Sequence, residues 1–284
     1  MTSFSVIVST YNRPEYLELV LHGYAAQTDS DFEVVVADDG SAPATAAVIN
    51  RYREDTGLPI THVWHKDSGF RKSLIVNRAI AAAGGAYLLF TDGDCIPRRD
   101  LVEVHRRLAR PGYFVAGGYL KLPATISSAI KPANIRSGEI ADLRWLRELG
   151  WNPGRRALRL VKSETLAAFF DAVTPTRAEF QGNNASVSRE ALAVVNGFES
   201  DMGYGGLDKA LGYRLRNAGI RGIQARHRAI AMHLDHPRPY RDDEGLRKNR
   251  EILARIRNRR ETRALSGLSE LTPDPSLRVD RGPG

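Results

Sequence analysis

Two carboxylates one residue apart, Asp92-Gly93-Asp94, close the apolar run Tyr87-Leu88-Leu89-Phe90-Thr91. Carboxylates at the exit of a strand that reads as buried are costly unless a cation meets them. In extended geometry, residues two positions apart project to the same side, and Gly93 leaves room for a close approach. The chemistry this suits is a hard-cation site, Mn²⁺ or Mg²⁺, presenting a diphosphate. A solvated surface turn would carry the same three residues. Cys95, next to Asp94, reads as a small buried filler rather than a nucleophile.

The elements that must position this turn alternate between strand-like and helix-like patterns over the first 120 residues. Phe4–Val8, Phe32–Ala37, Ile60–Trp64, Tyr87–Thr91 and Tyr113–Ala116 read as strands. Between them, Leu17, Val20, Leu21 and Tyr24 recur at helical spacing after Pro14, and Leu74–Ala83 is stopped by Gly84-Gly85. Such alternation predicts an α/β fold with a mostly parallel central sheet flanked by helices. Ligands of these sheets gather beyond the carboxyl ends of the strands. There the chain puts Thr10-Tyr11-Asn12, then Asp38-Asp39-Gly40-Ser41, then His65-Lys66-Asp67 with Gly69-Phe70-Arg71-Lys72, then the acidic turn. Four polar strand ends in succession describe a site rather than a loop.

Bulk properties narrow the class. A chain of 284 residues fits one large domain, or one domain with an elaboration. Its 42% hydrophobic and 26% charged residues are those of a soluble globular protein. Met1-Thr2-Ser3-Phe4 lacks the basic segment and apolar run of a secretory signal, and a single cysteine excludes an internal disulfide; both point to the cytoplasm. The net charge of +8 is concentrated in Arg155, Arg156, Arg159 and Lys162, and in Arg247 to Arg260. Solvated helix faces would explain both clusters, as would attraction to an anionic acceptor or an anionic membrane surface. Zinc-finger spacing and aromatic-rich RNA-binding strands are missing, so no nucleic acid is expected.

The strings Val6-Ile7-Val8-Ser9-Thr10-Tyr11-Asn12-Arg13-Pro14 and Val34-Val35-Val36-Ala37-Asp38-Asp39-Gly40-Ser41, together with the Asp-Gly-Asp turn, resemble the family-two glycosyltransferases of the GT-A fold. The resemblance is strong over roughly residues 3–120. It continues more loosely through Phe180-Gln181-Gly182-Asn183-Asn184 and Gly203-Tyr204-Gly205-Gly206 to His233-Leu234-Asp235-His236, a C-terminal segment of galactosyltransferase-like character. Gly69-Phe70-Arg71-Lys72 with Asp92-Gly93-Asp94-Cys95-Ile96-Pro97 resembles the subset linked to bacterial polysaccharide and lipopolysaccharide-core synthesis.

This resemblance implies a metal-dependent, inverting transfer of a sugar from a nucleotide-sugar, UDP-linked by expectation, to a glycan or lipid-linked acceptor. Residues 1–120 would bind the donor, 121–240 would supply the acceptor side and the base, and 241–284 would form a basic helix and a loose tail. Asp38 would accept from a base N–H or ribose hydroxyls, with Asp39 nearby and Thr10-Tyr11 as the floor; one of the two acids could instead cap the following helix. Arg71 or Lys72 would meet the base or the diphosphate. The metal would lie on Asp94, with Asp92 contacting it directly, through water, or through the ribose. A late histidine completes many such sites, and His233 and His236 are the candidates. Their spacing in an extended segment points them to opposite sides, so one ligand is expected, with His233 favoured because it follows the apolar run Ala229–Met232. In the related pattern a glycine turn leads into a helix that begins with Glu-Asp. Asp208 matches the second acid, the presumed general base, while Leu207 stands where the glutamate is usual.

The stretch from Leu120 to Glu179 is the least legible; Trp145 and Trp151 could offer sugar platforms or pack the core. A sugar nucleotidyltransferase is the rival in another reaction class, but it calls for a glycine-rich basic loop where Thr10-Tyr11-Asn12-Arg13-Pro14 stands. A degenerate nucleotide-sugar-binding scaffold is the non-enzymatic rival; retention of Asp92, Asp94 and Asp208 argues against it.

Overall fold

The computed structural model describes residues 3–237 and 243–282. β1 (Phe4–Thr10) leads to α1 (Pro14–Ala25), β2 (Phe32–Asp38), α2 (Pro43–Thr56), β3 (Ile60–Trp64), α3 (Lys72–Ala82) and β4 (Tyr87–Asp92). Proline opens α1 and α2, where its missing N–H costs nothing. β1 lies between β2 and β4, and β3 lies outside β2, all four parallel. Their residues alternate strictly between two cores. Val6, Val8, Val34, Val36 and Leu89 pack on one face; Ile7, Val35, Ala37, Leu88 and Phe90 pack on the other. Burial on both faces explains why these strands read as unbroken apolar runs.

The second part of the sheet is mixed. β5 (Cys95–Pro97), α4 (Leu101–Leu108) and β6 (Tyr113–Lys121) are followed by α5 (Ala124–Ala129), α6 (Pro132–Ser137), α7 (Leu143–Glu148) and α8 (Glu164–Val173). Then come β7 (Asn184–Ser188), α9 (Arg189–Val195), α10 (Leu207–Asn217), β8 (Arg221–His233) and α11 (Asp243–Arg259). β7 runs antiparallel to both β4 and β6, β8 is parallel to β6, and β5 pairs antiparallel with the end of β8. A parallel block of four strands thus carries a mixed extension in which β7 and β5 run against the rest, which short-range periodicity cannot disclose. Trp145 and Trp151 pack against the first core, so packing, not a sugar platform, is their role.

The tail is not loose. β9 (Arg278–Asp280) adds to the outer edge of β3, and Arg53 Nη1 meets Asp280 Oδ2 at 2.7 Å. Pairing covers an edge that would otherwise expose unpaired amides and carbonyls.

Candidate active site

The carboxyl ends of the parallel strands share one edge of the sheet. The register sets Thr10 against Asp38, Asp38 against Trp64, and Ser9 against Asp92. A cleft of about 940 Å³ opens there, lined by Thr10, Tyr11, Asp39, Lys72, Asp92 and Asp94 from the first part of the chain. Tyr119, Glu179–Gln181, Asn183, Tyr204–Lys209, His233 and His236 line the opposite side.

Asp38 ends β2 and Asp39 begins the bend after it, and the two side chains part company. Asp38 is buried; its Oδ1 accepts the Ser41 amide at 2.8 Å and its Oδ2 lies 2.9 Å from His62 Nε2. It therefore locks the turn before α2 instead of facing a nucleotide, a correction to the expectation from sequence. Asp39 does line the cleft, with Oδ1 2.8 Å from His65 Nε2 and Oδ2 accepting the Arg71 amide at 2.8 Å. The Arg71 guanidinium donates to the Lys66 carbonyl and is not part of the cleft wall, so of that basic pair only Lys72 lines it. Tyr11 donates to Asp67 Oδ2 at 2.9 Å, and this bond to a carboxylate raises its phenol.

Asp92 and Asp94 sit in different environments. Asp92 Oδ1 accepts from Ser9 Oγ at 2.7 Å and from Lys72 Nζ at 2.5 Å. Asp94 faces the two histidines. Because β5 pairs with β8 in the register Cys95 against His233, and the Leu234 amide donates to the Asp94 carbonyl at 2.9 Å, the end of β8 is drawn onto the acidic turn. His236 Nε2 lies 2.7 Å from Asp94 Oδ2 and His233 Nε2 lies 3.9 Å from Oδ1. The expectation of opposite sides fails because β8 ends at His233: beyond it the chain is no longer a strand, and the two rings stack with centroids 5.4 Å apart.

The donor set fits a divalent cation. His233 Nδ1 lies 2.7 Å from the Leu234 carbonyl and His236 Nδ1 lies 2.8 Å from the Pro237 carbonyl. Carbonyls only accept, so each Nδ1 carries a proton, and a ring in its neutral form turns a bare Nε2 toward Asp94. A lone pair facing a carboxylate oxygen at 2.7 Å requires a proton or a cation between them. With a proton there, Asp94 holds the His236 imidazolium above the usual histidine range. Burial works against the Asp94 charge, yet the bond to His236 and the nearness of both histidines leave its carboxyl below the usual carboxylate range. The backbone carbonyls are the orienting partners that metal-binding histidines normally have. Cys95 Sγ is 3.3 Å from Asp94 Oδ1, but burial pushes its thiol well up, consistent with a neutral filler.

Asp208 occupies the first turn of α10, across the cleft. Burial raises its carboxyl and the Asp92 charge adds to this, while Lys72 and the Gly182 backbone pull it partly back. Lys72 is desolvated too, but Asp92, Asp208 and Asp94 together keep its ammonium above the ordinary lysine value. Gly206, with φ +88°, caps the helix in the left-handed region where glycine is at ease. Leu207, nearly buried, packs with Met202, Ala210 and Ile256 and so seats α10 on α11.

Several residues that sequence reading passed over shape the site. Ser9 holds Asp92. A Cβ on Gly182 would come within 2.4 Å of Asp208 Oδ1. Asn249, buried on α11, donates from Nδ2 to the carbonyls of Gly203, Tyr204 and Gly205 at 3.0, 3.0 and 2.7 Å. Ser9 and Gly182 lie within recognisable strings, but nothing local marks Asn249. Asn184, the residue of a formal glycosylation sequon, is buried and bonded to the carbonyls of Gly118 and Ala229.

The family model for glycosyl transferase family 2 matches residues 5–125. Validoxylamine A glucosyltransferase of Streptomyces hygroscopicus subsp. jinggangensis (strain 5008) is 28% identical over 231 residues, covering 76% of this chain and 52% of that protein. The poly(ribitol-phosphate) beta-N-acetylglucosaminyltransferase TarS of Staphylococcus aureus (strain Mu50 / ATCC 700699) is 36% identical over 96 residues, or 33% of this chain and 16% of TarS. The chain thus spans about half the length, or less, of these curated relatives. Among solved structures, a mannosyltransferase from Pyrobaculum calidifontis in complex with GDP-Man and Mn²⁺ superposes with a TM-score of 0.56 at 24% identity, covering 88% of this chain and 61% of that one. S. aureus TarS 1–349 in complex with UDP superposes with a TM-score of 0.57 at 18% identity, covering 89% and 64%. These likenesses establish the GT-A architecture.

Proposed function

We propose that the chain is a family 2 glycosyltransferase that transfers a sugar from a UDP-linked donor to a glycan or lipid-linked hydroxyl acceptor, with inversion and with the help of Mn²⁺ or Mg²⁺. The observation that carries this reading is one cleft with Asp94 facing two Nε2 lone pairs on one side, Asp208 on the other, and Lys72 between the acids.

Asp39 and Thr10-Tyr11 line the base and ribose side of the cleft. Asp94, His233 and His236 would hold the cation, with Asp92 beside them. A divalent ion at that position supplies Lewis-acid neutralisation of the departing nucleoside diphosphate. Lys72 adds a fixed positive charge where the diphosphate charge develops. Asp208 takes the proton of the acceptor hydroxyl while that oxygen bonds to the anomeric carbon and the bond to the diphosphate oxygen breaks on the opposite face. Its raised carboxyl makes it a better base than an exposed aspartate, provided Lys72 keeps it ionised. Leu207 leaves the acceptor side with one acid fewer than the related pattern.

The experiment is a panel of nucleotide-sugars incubated with Mn²⁺, scored for release of the nucleoside diphosphate and for the anomeric configuration of the product. Release from a UDP-sugar with inversion supports the reading; retention of configuration, or inertness to the whole panel, sinks it. The same reading includes a peripheral contact between α11 and an anionic membrane. Arg250, Arg257 and Arg259 are exposed there, with no charged partner among the described residues, and no helix of the described residues is long and apolar enough to cross a membrane. Flotation with anionic vesicles at low salt reads this contact out, and failure to float removes it.

A further inference from the structure

The donor side of the cleft is wired to the far end of the chain. Asp39 Oδ1 lies 2.8 Å from His65 Nε2, His65 Nδ1 lies 2.8 Å from Arg78 Nη1, and that same Nη1 lies 2.8 Å from Asp274 Oδ2. His65 is fully buried and Arg78 is 6% exposed. Guanidinium nitrogens only donate, so Arg78 fixes His65 Nδ1 as an acceptor. The neutral ring's one proton then sits on Nε2 and is donated to Asp39.

A second route reaches the same carboxylate. Ser276 Oγ accepts the Lys66 amide at 3.1 Å, the Lys66 carbonyl accepts from Arg71, and the Arg71 amide donates to Asp39 Oδ2 at 2.8 Å. Around these routes, the Arg278 guanidinium sits 5.3 Å from the Trp64 ring centroid, and Ser276 bonds back to Asp274. Both oxygens of Asp39 are thus held by donors that are themselves braced by residues 274–278.

We propose that the C-terminal segment 274–280 is a positioning strap of the donor site, acting on Asp39 through Arg78–His65 and through Lys66–Arg71. Asp39 is thereby presented to the cleft as an acceptor of fixed direction, the form that selects a nucleobase with a ring N–H, such as uracil or guanine, over one with an unprotonated ring nitrogen. The proposal rests on the nucleotide-sugar reading above; it makes His65, Arg78 and Asp274 positioning residues, not catalytic ones.

The test titrates UDP, GDP and CDP in Mn²⁺ into the full chain and into His65→Leu, His65→Gln and Asp274→Asn variants. His65→Leu and Asp274→Asn are expected to weaken UDP or GDP by about tenfold, the scale of one lost bond to a charged group. They should also narrow the gap to CDP, and raise KM for the donor more than they lower kcat. His65→Gln, whose amide can accept from Arg78 and donate to Asp39, is expected to recover most of the affinity. Wild-type binding of His65→Leu overturns the strap, as does equal weakening by Leu and Gln. If wild type binds none of the three nucleotides, the donor reading itself fails. Nitrogen-15 shifts of His65 check the strap without any nucleotide: the Nε2–H tautomer is expected, and an imidazolium or Nδ1–H form contradicts it.

Discussion

Lys72 Nζ lies 2.5 Å from Asp92 Oδ1 and feels Asp208 and Asp94 as well, so one ammonium serves three carboxylates in the cleft. It therefore links the charge of the proposed metal side, Asp92 and Asp94, to that of the proposed base, Asp208. Removing it has a direction that can be stated. In Lys72→Met the Asp208 carboxyl rises further, because the cation that pulled it back is gone while burial and Asp92 still push it up. The acidic limb of kcat/KM should move to higher pH, with turnover at neutral pH down by about tenfold or more. An unmoved limb would show that Lys72 does not govern the base.

In the wild type the same logic fixes the sign of the pH profile. As the proposed base Asp208 would act only when deprotonated, and its carboxyl is raised, so activity is expected to fall as pH drops through a value above that of an ordinary aspartate. Asp208→Asn should keep UDP binding and lose transfer by about 10²–10⁴-fold. A variant that transfers at the wild-type rate would dismiss Asp208 as base.

Both histidines should matter. Each presents Nε2 toward Asp94, with Nδ1 satisfied by a backbone carbonyl. His233→Ala and His236→Ala are each expected to weaken Mn²⁺ by at least the roughly 10–100-fold that loss of a mere orienting partner costs, read by calorimetry, with folding intact. If only one variant changes the affinity, the cation has a single histidine ligand.

Leu207→Glu tests the departure from the related pattern. The glutamate would enter a contact surface made by Met202, Ala210 and Ile256, where an unpaired carboxylate is costly. The midpoint of thermal unfolding should fall, and transfer should not rise. A variant of unchanged stability and higher activity would show that the missing acid limits this protein.

Gly182→Ala isolates geometry from stability. Its Cβ meets Asp208 Oδ1, not backbone, at 2.4 Å, so the carboxylate must swing aside while the fold stands. Loss of transfer with retained UDP binding is expected; normal transfer would mean that the orientation of Asp208 seen here is not the productive one.

Much of the donor half was legible because it is written locally. Runs such as Phe4–Thr10 and Tyr87–Asp92 are buried on both faces, and their ends carry the polar residues that line the cleft. What escaped depends on distant pairing. Whether Asp38 or Asp39 faces the ligand is decided by His62 and Ser41 claiming the first. The meeting of His233 and His236 on Asp94 depends on the antiparallel register of β5 with β8. The order of the tail comes from Arg53, Arg78 and the open edge of β3, none of which a polar, proline-containing segment reveals.

Asp94 is the residue on which the proposed metal-dependent nucleotide-sugar site stands. Calorimetric titration of UDP into wild type and Asp94→Asn, each with Mn²⁺ and with EDTA, tests it most directly. Binding to wild type that is strong in Mn²⁺ and weak in EDTA, with the difference abolished in Asp94→Asn, is the predicted result. Equal binding with and without metal in the wild type would contradict a metal site on Asp94.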